Sequence, residues 1–97
     1  MKNIKIGQKV LCDNVETKFS VEDDVPGIIV GVKENVEKFD EETGEFIEFD
    51  TLYTVAFLER AFGNDLTNHQ EETLAKLNVK YFDCTTLVMF ADDVVAA

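Results

Sequence analysis

The chain is short of basic residues, short of sulfur and nearly without histidine. Nine lysines and arginines stand against 20 aspartates and glutamates, a formal net charge of −11. A field of that sign repels phosphate, so direct binding to nucleic acid or to an anionic membrane is disfavoured. No apolar run approaches the length of a membrane-spanning helix. Near the start, Ile4 and Ile6 are interrupted by Lys5 and Gly7, so no secretory h-region is expected. Cys12 and Cys84 are far apart in sequence and form no CxxC pair. A reduced, cytoplasmic protein is the expectation.

Catalytic and metal signatures are equally scarce. His69 is the only histidine, and Asn68 and Gln70 flank it at a polar helix start. A general base needs a partner carboxylate and a pocket, so an exposed His69 is expected instead. Cys12 has apolar neighbours, and Cys84 follows Asp83, whose charge works against a thiolate. Both cysteines read as small buried hydrophobes. Cys12, Cys84 and His69 lack the spacing of metal ligands. The run Asp40 to Glu45 lacks the alternating carboxylate order of a calcium loop. There is no phosphate loop, no G-x-S-x-G and no H-E-x-x-H. These absences point away from an enzyme, with no cofactor and no metal.

What is present is enough for one core. With 97 residues, 45% of them hydrophobic, the chain can fold as a single domain over 1–97. Valine and phenylalanine lead its apolar set, and such residues suit pleated strands. Residues 9–13 read as a first strand, 14–26 as a long polar loop, and Gly27 to Val32 as a buried strand with a bend at Gly31. Val36 to Phe39 and Phe46 to Phe49 flank Asp40–Glu45, a hairpin tip in which Gly44 tolerates positive φ. In the strand Leu52 to Leu58, Tyr53, Val55 and Phe57 share one face, and Leu52, Thr54, Ala56 and Leu58 the other. Thr67 and Gln70 have capping-box spacing, so a short helix is expected over about 68–77, with Asn78 as a left-handed stop. Val79 to Phe82 and Thr86 to Phe90 read as closing strands, and Asp92-Asp93 opens a final turn that lets Val94 and Val95 pack back.

The order of these signals resembles SH3-like small β-barrels of the KOW and Tudor kind. The matching stretches are Ile6-Gly7-Gln8-Lys9-Val10, Pro26-Gly27-Ile28-Ile29-Val30-Gly31-Val32, Tyr53-Thr54-Val55-Ala56-Phe57 and Phe90-Ala91-Asp92-Asp93-Val94-Val95. The resemblance implies a mainly β fold of five to six antiparallel strands, with first and last strands adjacent. The chain departs from that pattern in a longer acidic hairpin and in the loop and helix inserted over 59–78. Barrels of this sort serve as nucleic-acid modules, peptide readers and accessory subunits, and the charge here disfavours the first. By charge and size the chain is also similar to small acidic viral proteins that imitate nucleic acid and inhibit the enzymes that bind it.

Charge is concentrated. From Glu34 to Asp50 eight acids face Lys38 alone, seven of the net eleven negative charges. One reading is solubility; the other is a surface for a partner protein with a basic face. On the second reading Glu41, Glu42, Glu45 and Glu48, with Phe46 and Phe49, form the partner-binding surface, because rings amid carboxylates can receive a Lys or Arg side chain. Phe39 and Tyr53 are expected to pack on the core instead. Phe46 and Phe49 fit either role. The rival function is an accessory or structural subunit that associates through a barrel edge or apolar patch.

Overall fold

The computed structural model describes residues 4–17, 19–57, 63–79 and 84–97. Its elements are β1 (Lys9–Cys12), β2 (Val15–Glu16), β3 (Val21–Glu22), β4 (Val25–Phe39), β5 (Phe46–Phe57), helix α1 (Asn68–Lys76), β6 (Thr85–Phe90), a 3-10 turn (Ala91–Asp93) and β7 (Val94–Ala96). Five strands form one antiparallel sheet in the order β6-β5-β4-β1-β7, and β2 pairs with β3 in a small second sheet. The fold is mainly β with one short helix, as the composition implied.

Two long strands dominate, because the four central segments read from sequence merge in pairs. β4 runs unbroken from Val25 to Phe39 through two register shifts against β5, one between Ile29 and Gly31 and one between Lys33 and Val36. At the second shift Asn35 adopts φ 56°, a left-handed conformation that asparagine tolerates, so the extra residue is absorbed without ending the strand. Pro26 faces Leu11 of β1, and the phase set by the Ile29 N–H bond to Gln8 O points its nitrogen away from β1, so its missing N–H costs that ladder no bond. The expected loop over 14–26 is instead largely the β2–β3 hairpin. Val79 lies outside any strand, and Lys80 to Phe82, like Leu58, lie outside the described residues.

β5 alternates as its sequence implies. Tyr53, Val55 and Phe57 enter the main core with Ile4, Val10, Cys12, Val15, Val25, Ile29, Met89 and Val94. Ala56, on the opposite face, joins Ile28, Val30 and Leu74 in a second cluster under α1. The expected barrel is not closed: among the described residues no ladder joins β6 to β7, and the sheet keeps two edges. The three-residue 3-10 turn carries the chain between those edges without a hairpin. The sheet still wraps one core, since Met89 of β6 and Val94 of β7 share it.

Helix α1 is built by its ends. Thr67 Oγ1 accepts from the Gln70 N–H at 3.2 Å, and Gln70 Oε1 accepts from the Thr67 N–H at 2.9 Å, a reciprocal capping box. At the other end Asn78 takes φ 57°, its N–H bonds Ala75 O, and the Val79 N–H bonds Leu74 O, a Schellman closure. Leu74 is the helix's buried residue.

Candidate protein-binding surface

The distal half of the β4–β5 hairpin extends past the core. Toward the tip, the last core residues are Ile29 and Val30 on β4 and Tyr53 on β5; beyond them nearly every side chain is at least partly exposed. The tip is held by Asp40. Its carboxylate accepts from the N–H groups of Glu42 at 2.8 Å and Thr43 at 3.0 Å, while the Asp40 N–H bonds Glu45 O and the Gly44 N–H bonds Asp40 O. Gly44 has φ 72°, where a side chain would be strained. The bonds from Thr43 and then Glu42 hold the Asp40 carboxyl below the ordinary carboxylate range.

A third register shift shapes the aromatic face. Lys38 pairs with Glu48, but the next residue, Phe39, pairs with Phe46, so Ile47 is an extra residue in β5. Paired residues of an antiparallel ladder share a face, and a one-residue insertion moves the following side chain to the other side. Phe46 therefore lies with Phe49 and Phe39 rather than opposite them. The rings meet edge to face, 6.1 Å between Phe39 and Phe46 and 5.1 Å between Phe46 and Phe49. All three are about half exposed: Phe39 51%, Phe46 50% and Phe49 59%. Phe39 thus corrects its expected core placement. Paired with Phe46 at the far end of the ladder, it has no core beneath it. Tyr53 is buried as expected, and burial pushes its phenol up.

Carboxylates neighbour these rings along the chain, and Glu37, the ladder partner of Phe49, shares their face, whereas Glu48, the partner of Lys38, lies on the other. Glu41, Glu42, Glu45 and Glu48 are all exposed. Lys38, the stretch's one base, is engaged within the fold. Its Nζ lies 3.2 Å from Asp92 Oδ2, 3.7 Å from Asp50 Oδ2 and 5.2 Å from the centre of the Phe90 ring. The hydrogen bond to Asp92 keeps its ammonium charged above the ordinary lysine range. Among the described residues the other hairpin acids make no ion pair. Beside Phe49 a recess of about 410 Å³ is lined by Glu34, Asn35, Phe49, Asp50 and Thr51. Of its two carboxylates Asp50 already pairs with Lys38, which leaves Glu34 beside the Phe49 ring to meet an ammonium or guanidinium group. Sequence reasoning missed this recess, since the register shift that joins Glu34 and Asn35 to Phe49 is a property of pairing. Asn35, a residue tolerant of positive φ inside a strand pattern, was the available signal.

The remaining candidates stay apart. His69 is exposed on the first turn of α1. Cys12 and Cys84 are both buried, Cys12 in β1 and Cys84 just before β6. Among the described residues no three His, Cys, Asp or Glu side chains gather as a metal site would require, and no helix is long and apolar enough to cross a membrane. No protein-family model matches the chain, and no curated protein or solved structure is significantly similar to it.

Proposed function

We propose that this chain is a non-catalytic, acidic protein-binding module that presents its β4–β5 hairpin to a basic surface on a partner protein. One observation carries the reading. From Glu34 to Asp50 the hairpin projects unpaired carboxylates and half-exposed rings past the core, while the only base of that stretch, Lys38, is engaged inside the fold. A partner whose basic face ordinarily holds nucleic acid fits this chemistry best, which makes the module an inhibitor by charge mimicry. The pairing of β1 with β7 and the short turn before β7 support kinship with SH3-like small barrels. That kinship leaves function to the surface.

The test begins with capture of partners from a lysate of the cells in which the protein occurs, at low and high salt. Association kinetics on a captured partner then compare the chain with a Glu41→Gln, Glu42→Gln, Glu45→Gln variant. Long-range attraction acts mainly on the on-rate, so the variant should associate several-fold more slowly at low salt, with the gap narrowing as salt screens the field. An unchanged association rate at low salt removes the hairpin from the interface. Association that ignores salt altogether favours the rival, an accessory subunit held by an apolar or edge contact.

A further inference from the structure

β6 is an edge strand whose outer side is only partly covered. Asn64 and Thr86 exchange both backbone hydrogen bonds, each 2.9 Å. That exchange fixes the phase of the edge: the N–H and C=O of Thr86 point outward, and with a period of two so do those of Val88 and Phe90. Among the described residues nothing pairs with these later groups. Glycine at 63 permits this close approach, since a Cβ there would fall 2.6 Å from Thr86 O. Next to this edge lies a groove of about 510 Å³, lined among others by Asn14, Glu16, Asn64, Val88, Phe90 and Asp93. Val88 is 55% exposed.

We propose that the outer edge of β6 at Val88 and Phe90 takes an extended, lysine- or arginine-bearing segment of a partner protein by strand addition. The backbone groups supply register and affinity, as in other edge-pairing modes of peptide recognition. Charge selects the occupant. The groove's ionisable lining residues are both acids, Glu16 and Asp93. A second copy of this chain would bring another −11 to the same edge, so like charge opposes self-pairing. A segment alternating basic and apolar side chains meets both the carboxylates and the exposed Val88. The inference does not depend on the hairpin reading.

The probe is a short capped peptide of alternating lysine and valine. Hydrogen exchange by NMR on the dilute chain reads the edge directly. The peptide should slow exchange of the Val88 and Phe90 amides, and do so equally in the triple glutamine variant of the hairpin. A peptide N-methylated at alternate positions, which blocks one pairing edge, should lose at least about tenfold in affinity, as should a glutamate-valine analogue. Val88→Pro removes an outward donor and no β5 bond, so it should weaken binding similarly while the β5–β6 amides stay protected. Three results overturn the proposal: equal binding of the N-methylated peptide, protection of Val88 and Phe90 in the dilute chain alone, or their protection on self-association. The last two outcomes would show the edge filled by the chain itself or by a second copy.

Discussion

Helix α1 should be the weakest cooperative element of this fold, and Leu74→Ala measures it. A nine-residue helix does not persist in water without docking, whatever its caps. Leu74 is fully buried, the sole residue of α1 that is, and it packs with Ile28, Val30 and Ala56. Truncation removes three carbons. At about 0.8 kcal/mol for each buried methylene the transfer loss is about 2.4 kcal/mol. If the helix stays docked, a cavity remains and the total rises toward about 5 kcal/mol. If it undocks, no cavity persists and the loss is capped at the docking free energy, while the sheet survives. The expected loss is therefore about 2–4 kcal/mol. Urea unfolding followed by far-UV circular dichroism gives the global change, and amide exchange separates the two routes. Undocking predicts fast exchange across Glu71 to Lys76 with Val55 and Phe57 still protected. A change below about 1 kcal/mol, with α1 amides as protected as before, would refute the claim that Leu74 anchors the helix.

Phe49→Ala should leave folding almost unchanged, because the ring is 59% exposed, yet speed dissociation from a captured partner; an unchanged off-rate takes Phe49 out of the contact. Gly27→Ala should cost about 1–3 kcal/mol in urea unfolding, since the new Cβ would lie 2.5 Å from Val55 Cγ1 and 3.1 Å from Ala56 O in the packed core; a neutral effect would mean that the strands give way easily. Acid should loosen the hairpin tip as Asp40 is protonated. Asp40 has a depressed folded pKa, so its contribution is fully present above the unfolded value near about 3.9 and is lost as pH falls through the lower folded value. Amide shifts of Glu42 and Thr43 should follow the Asp40 carboxyl in an NMR titration, and shifts that move at the ordinary carboxylate pH would deny the turn its hydrogen bonds.

Residues whose role is local were legible in the chain. Thr67, Gln70 and Asn78 announced the helix because a cap is read from spacing and residue type within a dozen positions. Tyr53, Val55 and Phe57 announced a buried face because strand alternation is strict where burial enforces it. The hairpin tip was equally plain, since Gly44 and Asp40 carry their turn chemistry with them. Pairing was not legible. Ile47 is an unremarkable letter and Asn35 only hints at a left-handed break, but each marks an extra residue against a partner strand, and together they decide which side chains meet. The exposed position of Phe39 follows from the same cause. Core membership depends on how far the neighbouring elements reach, which no single segment reveals. The recess at Glu34 and the groove beside β6 likewise arise from segments distant in sequence.

Lys38 joins the two surfaces that these arguments identify. Without it the outer half of the hairpin would carry only like charge, with Glu48 directly across the ladder and Asp50 two residues beyond. Like charges on neighbouring strands destabilise a ribbon, more so where no core lies beneath it. Lys38 relieves this and does more than neutralise. Its ammonium reaches across to Asp92 in the turn after β6 and lies over the ring of Phe90, whose backbone faces the open edge. The ribbon is thereby tied to the end of β6, so the orientation of the acidic face is set relative to the edge and not left to the bending of two long strands. A lysine so placed explains how a strongly charged hairpin can remain ordered while its tip stays unpaired. A ribbon tied to the fold through Lys38, and charged at its tip, leaves the tip's acids uncompensated for the basic surface proposed above, because the only cation between Glu34 and Asp50 is already spent on the fold.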